Sequence, residues 1–110
     1  MIKPDHAQWP LLESWRVPDG HPVLAGHFPE YPVIPGALLL DWIACLAESF
    51  VGKAPIHIRA TRFHAPARAD MLLRAHGRVQ DGVFQFAVVA DGETLLCTGS
   101  LSTAARGAAP

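Results

Sequence analysis

Pro35-Gly36-Ala37-Leu38-Leu39-Leu40-Asp41-Trp42-Ile43-Ala44-Cys45-Leu46-Ala47-Glu48-Ser49-Phe50-Val51-Gly52 decides the fold. From Ala37 to Phe50 the stretch carries strong helix formers with no Gly or Pro, and Gly52 supplies the C-terminal stop. Apolar side chains surround nearly the whole circumference, which predicts a helix buried on most sides. The rest of the chain must wrap it.

Downstream, Ile56 to Phe63, Met71 to Val79, Val83 to Ala90 and Thr94 to Thr103 each read as strands. Asp81-Gly82 and Asp91-Gly92 are two-residue hairpin signals. Four strands in meander order after one buried helix predict an α+β domain, an antiparallel sheet curled around the helix. Upstream, Leu11 to Val17 reads as a first strand closed by Pro18-Asp19-Gly20. Residues 1 to 10 and 104 to 110 are expected to be loose arms on a single domain that spans 1–110. Gly26-His27-Phe28-Pro29-Glu30-Tyr31-Pro32-Val33-Ile34-Pro35-Gly36 is too rich in proline for a helix or a central strand and reads as a stiff, shaped loop.

Half of the 110 residues are hydrophobic, 17% are charged, and the formal net charge is −1. This excludes extensive disorder and offers no electrostatic footprint for nucleic acid or an anionic membrane. The apolar run from Ala37 to Val51 is broken by Asp41 and Glu48 and is too short to span a bilayer. The excess of apolar residues on so small a body predicts surface covered by a partner, most simply a second copy. Cys45 and Cys97 show no metal-type spacing and are read as reduced core thiols. The start Met1-Ile2-Lys3-Pro4-Asp5-His6 lacks the apolar core of a signal peptide, so a cytoplasmic location is expected.

Three features converge on proton chemistry. Asp41 lies five residues into the helix between Leu40 and Trp42, and packing is expected to surround it with apolar groups. A carboxylate so placed must find partners or take up a proton. Read alone, it is equally an acid that favours the helix dipole. His27 is presented by the rigid loop at the mouth of the helix, and imidazole is the side chain best tuned to move protons near neutral pH. Taken singly among six histidines, it is as readily a solvated ring. Pro35-Gly36 starts the helix, whose free N–H groups form a positive pole able to stabilise an anionic oxygen. A base, an acid and an oxyanion donor thus fall within one short stretch.

The stretch His27-Phe28-Pro29-x-x-Pro32-x-x-Pro35-Gly36, followed by Asp41, resembles the signature of the hotdog-fold 3-hydroxyacyl-acyl-carrier-protein dehydratases of the FabA/FabZ type. Arg62-Phe63-His64-Ala65-Pro66-Ala67-Arg68-Ala69-Asp70 is similar to the segment that enters that family's long strands. The resemblance covers about residues 20 to 103. It implies a central helix wrapped by a sheet of about six antiparallel strands, and a dimer as the working unit. It also implies His27 as the base at C2 of a 3-hydroxyacyl thioester, Asp41 as the acid at the departing C3 hydroxyl, and the Gly36 amide as the donor to the thioester carbonyl. The histidine and the acid facing one substrate would come from different protomers. The substrate would be carried on the phosphopantetheine arm of an acyl carrier protein, and no metal or organic cofactor would be needed.

The acyl chain is expected to meet Phe28, Pro35, Ala37, Leu38, Leu39, Trp42 and Phe63, any of which is also ordinary core. Arg62 and Arg68 are candidates for docking the acidic carrier, although strand arginines often simply face solvent. Asp rather than Glu as the acid resembles the dehydratase-isomerase branch. The short chain is similar to small stand-alone dehydratases of polyene or pigment pathways, while its first 20 residues lack a counterpart of the family's N-terminal helix. Two other readings belong to the same fold, a hotdog acyl thioesterase and a non-catalytic subunit paired with an active dehydratase.

Overall fold

A computed structural model describes residues 8–18, 34–52, 57–90 and 94–102. Their elements in chain order are β1 (Leu11–Trp15), α1 (Gly36–Val51), β2 (His57–Phe63), β3 (Leu73–Gln80), β4 (Val83–Ala90) and β5 (Thr94–Ser102). The five strands form one antiparallel sheet in the order β1-β3-β4-β5-β2. Five strands therefore stand among the described residues where about six were implied. The expected strands are present, each with ends shifted by no more than two residues.

Their order departs from a four-strand meander. Only β3, β4 and β5 follow one another, whereas β2 lies at the far edge beside β5, with Phe63 opposite Cys97 and Thr61 opposite Gly99. The reason lies in the connection from β2 to β3. It runs through Pro66 and the left-handed Asp70 (φ 66) rather than a tight turn, so the chain does not fold straight back. Asp81 and Gly82 do make the tight β3–β4 turn, both with positive φ (56 and 74) as a two-residue hairpin of the primed type requires. Asp91-Gly92 lies outside the described residues.

Alternation along the strands assigns the two faces of the sheet. Leu73, Ala75, Phe84, Phe86, Val88, Cys97 and Leu101 are buried on one face, beneath α1. Arg74, His76, Arg78 and Gln85 sit at the intervening positions on the other face. Complete burial of side chains such as Phe84, Phe86 and Leu73 contributes about 1.5–3 kcal/mol each. Into this layer α1 inserts a single stripe, Leu39, Ile43 and Ala47.

Leu38, Leu40, Trp42, Leu46 and Val51 are partly buried against the same core, so the expectation of a helix buried on most sides is corrected on one side, where Ala37, Asp41 and Cys45 form an open stripe. Positions two residues from the buried stripe are turned by about 200° and face away from it. Asp41 and Cys45 are such positions, and both are exposed. Asp41 is thus exposed rather than enclosed by the core, and Cys45 lies outside the core. Cys97 is a core thiol, and burial pushes its pKa up to about 11. The helix ends as its sequence predicts, at Gly52 with φ 87, whose N–H donates to the Glu48 carbonyl at 2.7 Å.

Residues 8–10 are a second correction, because they are pinned rather than loose. The His76 ring Nδ1 donates to the Trp9 carbonyl at 3.0 Å, and the Gly77 N–H donates to the Pro10 carbonyl at 3.0 Å. The Arg78 guanidinium stacks over the Trp9 ring, 4.6 Å from its centroid. Residues 1–7 and 103–110 lie outside the described residues, and no described helix is long and apolar enough to cross a membrane.

Candidate active site

The site is built where α1 begins. Pro35 occupies the N-cap with φ −58 and ψ 140 and makes no side-chain cap hydrogen bond. Its carbonyl accepts from the N–H groups of Leu38 and Leu39 at 3.0 and 3.3 Å. The first two amides, of Gly36 and Ala37, find no acceptor among the described residues. A helix start left uncapped in this way presents free N–H donors and the positive end of the helix dipole.

Facing this end is the connection that follows β2. The Ile34 N–H donates to the Ala67 carbonyl at 2.8 Å, which ties the approach to the helix against that connection. The register slips between Val88 and Val89, leaving Leu96 as the extra residue of a bulge in β5. The Leu96 carbonyl accepts from His64 N–H at 2.8 Å and from Ala65 N–H at 3.4 Å. The backbone on both sides of the site is therefore held by hydrogen bonds. Between them opens a cleft of about 540 Å³, with Ile34, Gly36 and Leu39 on the helix side and Phe63 to Ala67 on the other.

Gly36 belongs to this cleft for a steric reason. A Cβ at position 36 would lie 2.9 Å from Phe63 Cζ and 3.2 Å from Cε1, closer than carbon atoms pack. Only glycine lets the Phe63 ring stand against the helix start while the ring itself stays half exposed. The arrangement offers hydrogen-bond donors at one end of an apolar slot. Such a slot suits an acyl group whose carbonyl oxygen gains negative charge.

Of the residues singled out from sequence, Gly36, Leu39 and Phe63 are brought together in the cleft. Pro35 caps the helix beside it, and Leu38 is half-buried against the core. Ala37 is exposed. Trp42 points elsewhere, with its ring 5.0 Å from that of Trp15 and its Nε1–H donating to Glu13 Oε1 at 3.4 Å on the β1 side. Arg62 and Arg68 are exposed, the first on the edge strand and the second in the β2–β3 connection, where its backbone N–H donates to Met71 Sδ at 3.4 Å. His27 and Phe28 lie outside the described residues. Sequence reasoning missed Ile34 and the far wall from His64 to Ala67. The small residues Ala65 and Ala67 about Pro66 were the available signal, but only the pairing of Ile34 with Ala67 turns them into a wall.

A family model described as ApeI-like, ApeI dehydratase, matches residues 5–100. Among curated proteins, the 3-hydroxyacyl-(acyl-carrier-protein) dehydratase FabZ of Acidovorax sp. (strain JS42) is 30% identical over 112 aligned residues, covering 87% of this chain and 77% of that protein. The enzyme of the same name from Verminephrobacter eiseniae (strain EF01-2) is 33% identical over 101 residues, covering 77% of this chain and 67% of the relative. Among solved structures, the dehydratase heterocomplex ApeI:P from Xenorhabdus doucetiae superposes with a TM-score of 0.66 at 20% identity, covering 81% of each chain. A protein from Erwinia carotovora subsp. atroseptica superposes with a TM-score of 0.69 at 22% identity, over 81% of this chain and 77% of that one. These likenesses identify the antiparallel sheet and its one helix as the hotdog fold.

Proposed function

The chain belongs to the ApeI-like family of dehydratases, of which FabZ enzymes are relatives, and from that membership we propose that it dehydrates a 3-hydroxyacyl thioester to the trans-2-enoyl thioester. The observation that carries this reading is the Gly36 amide, without an acceptor among the described residues, at the mouth of an apolar cleft. Hydrogen on C2 of a thioester is only weakly acidic, and its removal places charge on the carbonyl oxygen. A donor at that oxygen lowers the barrier as directly as the base does.

In the proposed step the His27 imidazole takes the C2 proton, and the electron pair moves into the C2–C3 bond. The C3–O bond breaks, and the departing oxygen takes a proton from Asp41 to leave as water. Proton return from imidazolium to the Asp41 carboxylate then restores the starting state. The imidazole and carboxyl supply both proton transfers and the Gly36 amide stabilises the developing charge, so the step as proposed uses no metal or organic cofactor.

The outward position of Asp41 supports a site shared between two chains. Asp41 faces away from the core while Gly36 opens into the cleft, and a rotation of about 140° about the helix axis separates them. A second hotdog subunit laid on this face would cover the exposed Asp41. That subunit is a copy of this chain or a related chain, the latter favoured by likeness to a component of a dehydratase heterocomplex. In the second case this chain could serve as the partner of an active dehydratase. The acyl group would arrive on an acidic carrier protein docked at Arg62 and Arg68.

The test mixes the purified protein with a 3-hydroxyacyl pantetheine or carrier-protein thioester and follows the conjugated enoyl product by ultraviolet absorbance. Growth of that absorbance is expected. Release of free thiol instead indicates a thioesterase, and silence in both signals from a confirmed homodimer favours the reading as a non-catalytic subunit.

A further inference from the structure

Among the described residues that line the cleft, Phe63 is the one placed to set its width beside Gly36. On the helix side Ile34 and Leu39 are each only 2% exposed and form a fixed floor. Gly36, Ala65 and Ala67 are small, and the Pro66 ring has little freedom. Of the two larger exposed residues on the far wall, His64 is held by the hydrogen bond between its Nε2 and Thr98 Oγ1 at 3.2 Å, whereas the half-exposed Phe63 ring stands directly against Gly36. Phe63 is the last residue of β2, paired with Cys97, and the next residue is held by the bond from His64 N–H to the Leu96 carbonyl. Its backbone is thus fixed at both sides. Among the described residues, the side chain placed to widen the opening beside the Gly36 amide is that of Phe63, by a swing of its ring.

The geometry points to Phe63 as the residue that decides which acyl groups reach that amide, admitting a straight chain and rejecting one branched at C2. This deepens the dehydratase reading and rests on it for the identity of the acyl thioester. A carbonyl oxygen accepting from the Gly36 N–H sits about 2.9 Å from that nitrogen. The ring tip already touches the same residue, at 2.9 Å from where a Cβ would lie. A CH₂ group at C2 presents only hydrogens to the ring, whereas a methyl there needs the volume that the ring occupies. The conflict is the one that forbids a side chain at position 36. In an apolar pocket a single such carbon is worth about 10- to 200-fold in selectivity.

The test compares 3-hydroxybutyryl pantetheine with 2-methyl-3-hydroxybutyryl pantetheine on the wild-type chain, Phe63→Leu and Phe63→Ala. Light scattering checks that each variant keeps the wild-type assembly state. The wild type is expected to favour the unbranched substrate in kcat/KM by about tenfold or more. The preference should shrink in Phe63→Leu and come close to one in Phe63→Ala. A purely structural role for Phe63 would lower both rates together and leave their ratio unchanged, and that result overturns the proposal.

A second arm does not depend on turnover. Unreactive butyryl and 2-methylbutyryl pantetheine amides are titrated into the same three proteins by calorimetry. Stronger binding of the unbranched amide to wild type, equalised in Phe63→Ala, supports the selective wall even if neither thioester is dehydrated, in which case the dehydratase reading alone fails. Equal binding of the two amides to wild type, or binding of neither, overturns the wall.

Discussion

Gly36 and Phe63 touch across the start of α1, with the ring tip 2.9 Å from the position a side chain on residue 36 would occupy. Two residues 27 positions apart in sequence are therefore coupled. Gly36→Ala lowers the entropy of the unfolded chain, worth about 0.4–1 kcal/mol, but forces the ring aside, an overpacking cost of about 1–3 kcal/mol. In the native background a net loss of about 1 kcal/mol is expected by urea denaturation. In Phe63→Ala the same substitution should be neutral or stabilising, and the double-mutant cycle should return about 1 kcal/mol of coupling. Simple additivity would mean that the two residues do not meet.

Loss of the proposed base or acid should remove activity without removing the fold. His27→Ala and Asp41→Asn are each expected to lower kcat about 100- to 10,000-fold, with circular dichroism unchanged. If the working unit is a homodimer with each site drawn from two chains, mixing the two inactive variants rebuilds one intact site in each mixed dimer. Recovery of about a quarter of native activity is then expected after subunit exchange. Mixed variants that stay inactive would place His27 and Asp41 in the same protomer's site.

The two cysteines should separate by chemistry. In Cys45→Ser the remaining thiol, Cys97, is fully buried, so it should resist a colorimetric disulfide reagent in buffer and react once denaturant is added. Its pKa in the folded chain is about 11, against 9.0 as the reference value. The folded state therefore holds the proton more tightly than the unfolded state does. The resulting stability is intact below pH 9 and is lost as pH rises from about 9 to 11. Denaturation midpoints should fall across that window in Cys45→Ser, and Cys97→Ala should flatten this part of the profile.

The β3–β4 turn offers a test of the fold alone. Gly82 takes φ 74 beside Asp81 at φ 56, a left-handed pair that disfavours any Cβ. Gly82→Ala is expected to cost about 1–2 kcal/mol, and thus to lower Tm by several degrees in a calorimetric scan. Activity per folded molecule should be unaffected, because the turn lies outside the cleft.

What local chemistry alone determined is legible along the chain. The helix between Pro35 and Gly52, the hairpin at Asp81-Gly82 and the alternation from Leu73 to Ala90 follow from residues that act on their immediate neighbours. The spacing of Gly36 from Asp41 and the resemblance built on it likewise stand in the linear sequence. Other features depended on which distant segments came into contact. Placing β2 beside β5 rather than β3 put Phe63 against Gly36, and the bulge at Leu96 held the wall that follows. The apolar circumference of α1 could not say which of its sides the sheet would take. Covering Leu39, Ile43 and Ala47 turned Asp41 and Cys45 outward. Strand order and helix rotation are chosen by the sum of packing over the whole core, a quantity that no short window of sequence contains.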